Sequence, residues 1–245
     1  MNAVIFGANS TIATEFINLL AIRGYNLYLL GRNLNSLSVM EIDLKARYPN
    51  IKIKIYSFDA EIENEIQEKI KIIKNDAKQI DILLVAHGQL PDNKMCSEDW
   101  NTFNNSLLVN GIKVIEICHQ VALIMKLQKN GIIVAISSVA GLRGRQSNYA
   151  YGTAKGMLNI YLQGLRNEMY NYNVKVLTVL PGFVDTKMTL EFEKGILWAT
   201  PQRVANDIFK AIDKNKDIVY TPWFWRHIMM IINIIPEFLF KKMKL

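Results

Sequence analysis

Short β-branched segments alternate with longer segments of helical spacing along nearly the whole chain. The strand-like segments are Ala3–Phe6, Leu27–Leu30, Ile51–Tyr56, Ile82–Ala86, Ile132–Ser137, Val174–Val179 and Ile218–Tyr220. Apolar residues recur at helical spacing in segments that include Ile12–Arg23, Leu34–Tyr48, Trp100–Leu127 and Tyr149–Tyr170. This alternation predicts an α/β fold in which helices cover both faces of a doubly wound, parallel, seven-stranded sheet. Ligands of such a sheet bind at the carboxyl ends of its strands.

The chain of 245 residues shows no Ser-, Gly- or Pro-rich linker, internal repeat or low-complexity tract. Half of its residues are hydrophobic (50%), which is enough for one large core. We therefore expect a single α/β domain over residues 1–221, followed by an apolar and basic C-terminal tail over residues 222–245.

The formal net charge of +7 raises the question of nucleic-acid binding, but the charges are dispersed. The predicted helix Glu61–Lys74 mixes both signs, as solvated surfaces do, and only the cluster Lys241-Lys242-Met243-Lys244 is purely basic. We expect no nucleic-acid partner.

Cys96 and Cys118 have no metal-ligand spacing and require no disulfide, which fits a reducing compartment. We therefore expect no metal site. No export signal precedes Ala3–Phe6, so we expect a cytoplasmic protein.

Tyr151 and Lys155 are four residues apart, and residues at this spacing share one face of a helix. A phenol has a pKa of ~10, and a neighbouring cation favours its phenolate form. With a pKa brought towards neutrality, such a tyrosine can exchange a proton with an alcohol or carbonyl oxygen. Ser138 follows the apolar segment Gly131–Ile136, where a strand would place its hydroxyl at the edge of a cleft. These residues predict an active site.

Ser138 followed by Tyr151-Gly-Thr-Ala-Lys155 resembles the signature of the short-chain dehydrogenase/reductase family, whose members have a single-domain Rossmann fold. Asn110 and the segment Pro181-Gly182-Phe-Val-Asp-Thr186 lie where the family has an active-site Asn and a Pro-Gly turn. The resemblance covers about residues 1–221 and implies an NAD(P)-dependent enzyme that reduces carbonyls or oxidises alcohols.

The resemblance also implies roles for single residues. Tyr151 is the proton donor in reduction, and Ser138 hydrogen-bonds the reacting oxygen. Lys155 lowers the pKa of the tyrosine and holds the nicotinamide ribose, and Asn110 anchors a water that links Lys155 to solvent. The implied cofactor-binding residues are Gly7, Asn9, Ser10, Thr11, Ile12, Arg32, Asp59, Ala86, His87, Gly88, Tyr151, Lys155, Pro181, Gly182, Val184 and Thr186.

The cofactor loop departs from the family pattern at two positions. Thr11 and Ala13 stand where the family usually has glycine, while Gly7 can still form the tight turn. The backbone N–H groups at the start of the following helix remain suited to a phosphate. In addition, Val85-Ala86-His87-Gly88 replaces a common Asn-Asn-Ala-Gly.

The end of the second strand indicates which cofactor is used. Enzymes selective for NAD usually have an acidic residue there, whereas this chain has Gly31-Arg32-Asn33. The planar guanidinium of Arg32 can pair with a 2′-phosphate, so NADP(H) is favoured and NAD(H) stays possible. By the resemblance Asp59 meets the adenine amino group; the alternative is a helix N-cap.

The tail is the main clue to the substrate. From Trp223 onward it is largely apolar, with Arg226, Asn233 and Glu237 forming a narrow polar stripe if it is helical, and Pro236 is expected to kink or break it. Such a segment is typical of a helix that lies in a membrane interface, with lysines near anionic headgroups. The alternative is burial in the interface of a homo-oligomer, a dimer or tetramer.

The loops at Gly7–Ala13 and Gly31–Asn33, together with the tail, are similar to those of one family branch, the decaprenylphosphoryl 2-keto-pentose reductases. This similarity implies reduction of a 2-keto sugar on a polyprenyl phosphate by an enzyme peripheral to the inner face of the membrane. The segment Met188–Trp198 is expected to form a lid over the substrate. Two alternatives remain, a reductase of another lipophilic ketone such as a 3-oxoacyl or sterol-like compound, and a cofactor-sensing regulatory protein without turnover.

Overall fold

A computed structural model describes residues 1–243, so that Lys244 of the predicted basic cluster lies outside the described residues. The strands are β1 (Asn2–Phe6), β2 (Asn26–Gly31), β3 (Ile53–Ser57), β4 (Ile82–Val85), β5 (Gly131–Ile136), β6 (Val174–Pro181), β7 (Phe183–Val184), β8 (Trp198–Ala199) and β9 (Ile218–Thr221). The helices are α1 (Thr11–Ile22), α2 (Leu34–Arg47), α3 (Glu65–Ala77), α4 (Asn93–Glu98), α5 (Trp100–Leu107), α6 (Lys113–Gln128), α7 (Tyr149–Tyr170), α8 (Pro201–Asp213), α9 (Trp225–Ile234) and α10 (Glu237–Phe240).

Seven strands form one sheet in the order β3-β2-β1-β4-β5-β6-β9, and every neighbouring pair is parallel. The prediction of a doubly wound, parallel, seven-stranded sheet is thus confirmed. The strand order reverses between β1 and β4, and the loops that follow these two strands border the crevice where such folds bind ligands. The short strands β7 and β8 form a separate parallel pair.

Two apolar layers cover the sheet. Phe16 and Leu20 of α1 belong to the layer on one face, together with residues of α8. Ile117 of α6 and Leu162 of α7 belong to the layer on the other face, together with residues of α3. Strands between these layers are buried on both sides, which is why they are apolar throughout rather than alternating.

Some boundaries differ from the prediction. β3 begins at Ile53 rather than Ile51, because the amide of Ile51 closes a turn by donating to the Tyr48 carbonyl at 3.3 Å. The helix predicted over Trp100–Leu127 is present as α5 and α6, which are joined by a π-helical turn at Leu108–Ile112.

Within residues 1–243, Trp100–Gln128 is the one helical segment whose length and apolar composition would allow it to cross a membrane. Its inner face packs in the core through residues such as Val114, Ile117 and Met125. A buried core helix gives the same signal, so this segment is weak support for a membrane span.

The C-terminal helices pack on the domain. Trp225 and Met229 of α9 are buried against Val139 and Leu180. The expected break at Pro236 is present, since α9 ends at Ile234 and α10 begins at Glu237. The polar stripe predicted for one continuous helix is therefore interrupted.

Candidate active site

α7 places Tyr151 and Lys155 one turn apart, with the Lys155 Nζ atom 5.7 Å from the centroid of the Tyr151 ring. The lysine is 3% exposed, and its ammonium donates a hydrogen bond to the carbonyl of Ile136 at 3.1 Å. This bond connects the first turns of α7 to the end of β5. The two residues therefore share a site, as their spacing predicts.

Ser138 lies beside Tyr151, and only Ser137 separates it from the end of β5. Its hydroxyl accepts a hydrogen bond from the Ala140 amide at 3.1 Å, which begins a short 3₁₀ turn over Val139–Leu142. The neighbouring Ser137 hydroxyl donates to the backbone carbonyl of Lys155 at 3.3 Å. The end of β5 is thus joined to α7 by two hydrogen bonds, one from Lys155 Nζ and one to the Lys155 carbonyl.

Glycines allow the Ser138 turn to lie directly on α7, a feature that the sequence analysis missed. A Cβ atom on Gly141 would be 2.5 Å from the carbonyl carbon of Lys155. From the helix side, Cβ atoms on Gly152 and Gly156 would approach the carbonyl oxygens of Ala140 and Gly141 to 3.0 and 3.2 Å. The signal was present in the four-residue spacing of Gly152 and Gly156, which puts both on one face of α7.

Asn110 lies in the π-helical turn and is fully buried. Its Oδ1 atom accepts a hydrogen bond from the Gln89 amide at 2.8 Å, and its Nδ2 atom donates to Ser106 Oγ at 3.4 Å. A Cβ atom on Gly88 would be 2.9 Å from Asn110 Oδ1 and 4.0 Å from Lys155 Nζ, so both polar groups border the same small space. Single π turns are frequent at functional sites, and this one brings Asn110 to the predicted constellation.

Burial dominates the acid–base properties of the site. It raises the pKa of the Tyr151 phenol to about 12, and the Ser138 hydroxyl offsets only part of this rise. It also lowers the pKa of the Lys155 ammonium to about 8, against the effect of the Cys118 thiol. Desolvation of the phenolate is thus the largest effect on the pKa of Tyr151 in the chain by itself, and the lowering expected from Lys155 stays a prediction.

The cofactor loop follows β1. Gly7 has a φ of +80°, and its amide donates to the Leu30 carbonyl at 2.9 Å. A Cβ atom there would overlap the amide nitrogen of His87 and lie 2.8 Å from the carbonyl carbon of Ala86. Only glycine fits this place, which brings the loops after β1 and β4 into direct contact.

α1 begins beyond this loop, with Ser10 as its N-cap residue; Ser10 Oγ accepts from the Ala13 amide at 3.4 Å. The amides of Thr11 and Ile12 form no hydrogen bond with another residue of the described part of the chain. Free amides at a helix N-terminus, together with the positive end of its dipole, suit a phosphate group. These residues fit the pyrophosphate of a dinucleotide.

Asn9 extends from this loop towards the loop after β2. Its Oδ1 atom accepts from the Asn33 amide and its Nδ2 atom donates to the Asn33 carbonyl, both at 3.4 Å. A Cβ atom on Gly31 would overlap the Asn9 amide. The Asn9 side chain therefore positions the loop that carries the exposed Arg32.

His87 lies against Gly7 of the cofactor loop. Both of its ring nitrogens are buried and have no hydrogen-bond partner among the described residues. Burial lowers the pKa of its imidazole to about 3, the charges of Lys155 and Arg32 act in the same direction, and the Val109 backbone, which approaches the ring without a well-formed hydrogen bond, opposes them. A neutral imidazole with unpaired nitrogens, beside Ala86 and Gly88, fits a site that a polar ligand completes.

This shift predicts how acid affects the free energy of unfolding. The folded-state pKa of His87 lies below the unfolded value of 6.5, so the unfolded chain binds the extra proton and stability is lost as the pH falls below 6.5. At two pH units below that value the loss from His87 amounts to about 2–3 kcal/mol. Urea unfolding of His87→Gln should lack this part of the loss between about pH 6.5 and 4.5. Identical pH slopes in the two proteins would contradict a buried, neutral His87.

Asp59 follows β3, where its Oδ1 atom accepts a hydrogen bond from the Glu61 amide at 3.1 Å. The N-cap position of α3 belongs to Asn64, so Asp59 is not the helix cap that was the alternative to a cofactor contact. Its own amide donates to Glu65 Oε2 at 2.6 Å. Asp59 is thus fixed in a turn beyond the carboxyl end of β3.

Pro181 is the last residue of β6 and Gly182 follows it; a Cβ atom on Gly182 would overlap the indole of Trp225. Val184 is buried in the short strand β7, while the Thr186 amide donates to Thr189 Oγ1 at 3.1 Å. Trp225 was missed as a site residue because the sequence suggested that the tail lies outside the domain. The buried indole of Trp225 packs directly against Gly182 of the Pro-Gly turn.

The predicted lid begins in this region. The β7–β8 pair closes its base, and the loop between these strands exposes Leu190, Phe192 and Ile196. Ile196 is almost fully exposed (99%).

No group of three or more His, Cys, Asp or Glu side chains within residues 1–243 comes together to hold a metal ion.

A parallel doubly wound sheet, a phosphate-compatible helix start and a Ser–Tyr–Lys cluster together define a dinucleotide-dependent oxidoreductase. The sequence profile of short chain dehydrogenases matches residues 1–196. The chain belongs to the short-chain dehydrogenase family and is an NAD(P)-dependent oxidoreductase.

Relatives and solved structures agree with this assignment. An oxidoreductase of Mycobacterium tuberculosis that has not been characterized is 29% identical over 240 residues, covering 98% of this chain and 96% of that protein. Carbonyl reductase family member 4 of Xenopus tropicalis is 26% identical, with 93% and 94% of the two chains covered. The fold is similar to that of a short-chain dehydrogenase from Sphingobium yanoikuyae in complex with NADPH, with a TM-score of 0.84, 18% identity and 96% of each chain covered.

Proposed function

We propose that the chain reduces a carbonyl group of a lipophilic substrate at the Ser138–Tyr151–Lys155 site, with NADPH as the preferred cofactor. The observation that carries this proposal is the clustering of buried Ser138 and Lys155 with the half-buried Tyr151, close to Gly88 in the loop that Gly7 contacts. A pure cofactor sensor has no need of a proton donor next to a buried lysine. The regulatory alternative therefore has less support.

In this proposal each residue has one task. The Tyr151 hydroxyl donates its proton to the carbonyl oxygen during reduction. Ser138 donates a hydrogen bond to the same oxygen and orients it. Lys155 binds the ribose and keeps positive charge near the phenol, and Asn110 holds the water that returns a proton to Lys155. When bound, the nicotinamide supplies the hydride.

The high pKa of the phenol is compatible with this role. At neutral pH Tyr151 is protonated, which is the form that a reductase needs before the reaction. In the oxidation direction the phenolate is required, and the positive charge of an oxidised nicotinamide near Lys155 would favour it. The protonated phenol of the chain by itself thus favours reduction over oxidation.

The preference for NADPH is supported by Arg32, an exposed cation whose charge is felt at His87. We expect Arg32→Ala to raise the KM for NADPH about 10–100-fold, since a charge-assisted contact contributes roughly 1.5–3 kcal/mol. The KM for NADH should change little. Arg47→Ala on α2 removes an equal charge from an exposed pair with Asp43 and serves as control. A parallel rise for both cofactors would contradict the assignment of the 2′-phosphate to Arg32.

The lipophilic substrate is supported by exposed apolar side chains of the lid and of the C-terminal helices. The lid exposes Leu190, Phe192 and Ile196, and α9 and α10 expose further large apolar residues, among them Ile231, Ile234 and Phe238. A 2-keto sugar on a polyprenyl phosphate is the substrate that we favour; a 3-oxoacyl or sterol-like ketone is the second candidate. Turnover of a polyprenyl-phosphoryl 2-keto-pentose in mild detergent supports the first, and turnover of acyl or sterol ketones alone supports the second.

We also propose that the outer face of α9 contacts the cytoplasmic side of a membrane. α9 is apolar on two sides, because Trp225 and Met229 are buried while Ile231 and Ile234 are 62% and 73% exposed. A helix with a second, uncovered apolar side is typical of an interface with lipid or protein. Exposed Lys241 and Lys242 next to it favour anionic headgroups. A contact between copies of the chain is the alternative.

Replacing Ile231 and Ile234 by Gln should reduce sedimentation with phosphatidylglycerol vesicles about tenfold or more, since each immersed aliphatic side chain contributes on the order of 1 kcal/mol. The double variant Val39→Gln/Ile42→Gln is the matched control, because these residues of α2 have the same i, i+3 spacing and are 68% and 69% exposed. Unchanged vesicle binding, combined with a smaller oligomer, would favour the contact between copies instead.

A further inference from the structure

The loop between the Ser138 turn and α7 is attached to the C-terminal helices through Arg143. One guanidinium nitrogen donates to the Ile232 carbonyl at 2.5 Å, and the other donates to Glu237 Oε2 at 3.1 Å. The guanidinium also lies 3.8 Å from the centroid of the Phe240 ring. The loop that has Ser138 before it and Tyr151 after it is therefore in contact with α10.

Next to this contact lies an open cavity of about 280 Å³. It is lined by Arg145, Gln146, Glu237, Phe240, Lys241 and Met243. Two of these residues are cations and two are large apolar side chains. The carboxylate of Glu237 is already bound by Arg143. The cavity thus combines positive charge with an apolar wall.

Arg145 is the unusual member of this set. It forms no salt bridge with another residue of the range 1–243, and its Nε atom is buried without a hydrogen-bond partner there. Burial lowers the pKa of its guanidinium. A partly buried cation without a counter-ion is costly, and an anion in the cavity would remove this cost. Lys241 also has no acidic partner among the described residues, so the cavity offers two cations to one ligand.

We propose that this cavity binds the phosphate group of an amphiphilic ligand. Arg145 and Lys241 contact the phosphate, and Phe240 and Met243 contact the adjoining part of its apolar chain. Guanidinium groups match phosphate oxygens through paired N–H donors, and lysine adds a point charge. The assignment rests on the proposed reduction of a lipophilic substrate, and it adds the phosphate as the group that holds the substrate beside the Ser138–Tyr151 loop.

Binding, rather than turnover, tests this site. The full-length chain is titrated with farnesyl phosphate, with farnesol and with inorganic phosphate, following tryptophan fluorescence and calorimetry. The variants are Arg145→Gln and Lys241→Gln, and the control is Arg47→Gln, which removes the same charge from α2. Lys241 is exposed, so its replacement leaves the fold intact even if the partly buried Arg145 does not tolerate Gln.

We expect the wild-type chain to bind farnesyl phosphate at least tenfold more tightly than farnesol. Arg145→Gln and Lys241→Gln should each lower the affinity for farnesyl phosphate at least about fivefold and leave the affinity for farnesol unchanged. Arg47→Gln should bind both compounds as the wild type does. Equal affinity for farnesyl phosphate and farnesol, or equal weakening in the control, would overturn the proposal.

Vesicles that contain phosphatidic acid distinguish the two sources of the phosphate. Weaker vesicle binding by Arg145→Gln, with farnesyl phosphate binding weakened as well, supports a site open to lipid headgroups and substrate alike. Weaker farnesyl phosphate binding alone supports the substrate. If the chain reduces no carbonyl but these differences are found, the phosphate site stands and the proposed function fails; the reverse result overturns only the site.

Discussion

Replacing Tyr151 by Phe is expected to lower the turnover number of carbonyl reduction by about 10²–10⁴, the usual contribution of a positioned proton donor. Tyr151 is half-buried beside Ser138 and Lys155, so a solvent-exposed acid does not readily replace its phenol. NADPH should bind within a few-fold of the wild-type affinity, because the phenylalanine ring keeps the packing. Steady-state kinetics and a fluorescence titration of NADPH measure the two quantities separately.

Tyr170→Phe is the matched control. It makes the same change at the far end of α7, where the side chain is 83% exposed, and it should turn over normally. If Tyr151→Phe retained a tenth or more of the wild-type turnover, Tyr151 would not be the proton donor. Parallel loss of NADPH binding would point to a disturbed site instead of missing chemistry.

Gly7→Ala is expected to have the second large effect, at least a 100-fold loss of NADPH affinity. The added methyl group would overlap the His87 amide, so the loops after β1 and β4 must separate at the phosphate end of the site. Alanine at a positive φ also costs roughly 1–2 kcal/mol of stability on its own. Titration of NADPH and urea unfolding measure the two effects.

Gly24→Ala isolates the second of these effects. Gly24 has a φ of +75°, close to the +80° of Gly7, yet nothing lies within 4 Å of its Cβ position. Gly24→Ala should therefore lose the stability that alanine at a positive φ costs and keep the wild-type affinity for NADPH. Equal NADPH affinity in Gly7→Ala and Gly24→Ala would contradict the placement of the cofactor on the Gly7 loop.

The fold was predictable because the local patterns are strong. Buried strands such as β4 are apolar throughout, and the helices between them keep a regular spacing, so element type and order were confirmed. Boundaries were less certain where turns are closed by single hydrogen bonds, as at Ile51. The π-helical turn around Asn110 could not be predicted from apolar spacing, because helical segments flank it directly on both sides.

The site was predictable in part. The spacing of Ser138, Tyr151 and Lys155 predicted their proximity, which the structure shows, while their catalytic roles stay predictions. The sign of the pKa shift at Tyr151 could not be derived, because it depends on how completely the surrounding chain excludes water. Contacts between distant segments, such as Gly182 with Trp225 and Arg143 with α10, require the tertiary structure.

The most direct test of the account is transfer of deuterium from 4-deuterated NADPH to a polyprenyl-phosphoryl 2-keto-pentose and, in parallel, to 3-oxoacyl and sterol-like ketones. We expect the wild-type chain to place the label on the carbon of the former carbonyl in at least one of these products, and Tyr151→Phe to do so at least about 100-fold more slowly. Tight binding of NADPH without labelled product from any of the ketones would contradict it and would favour a cofactor-sensing protein.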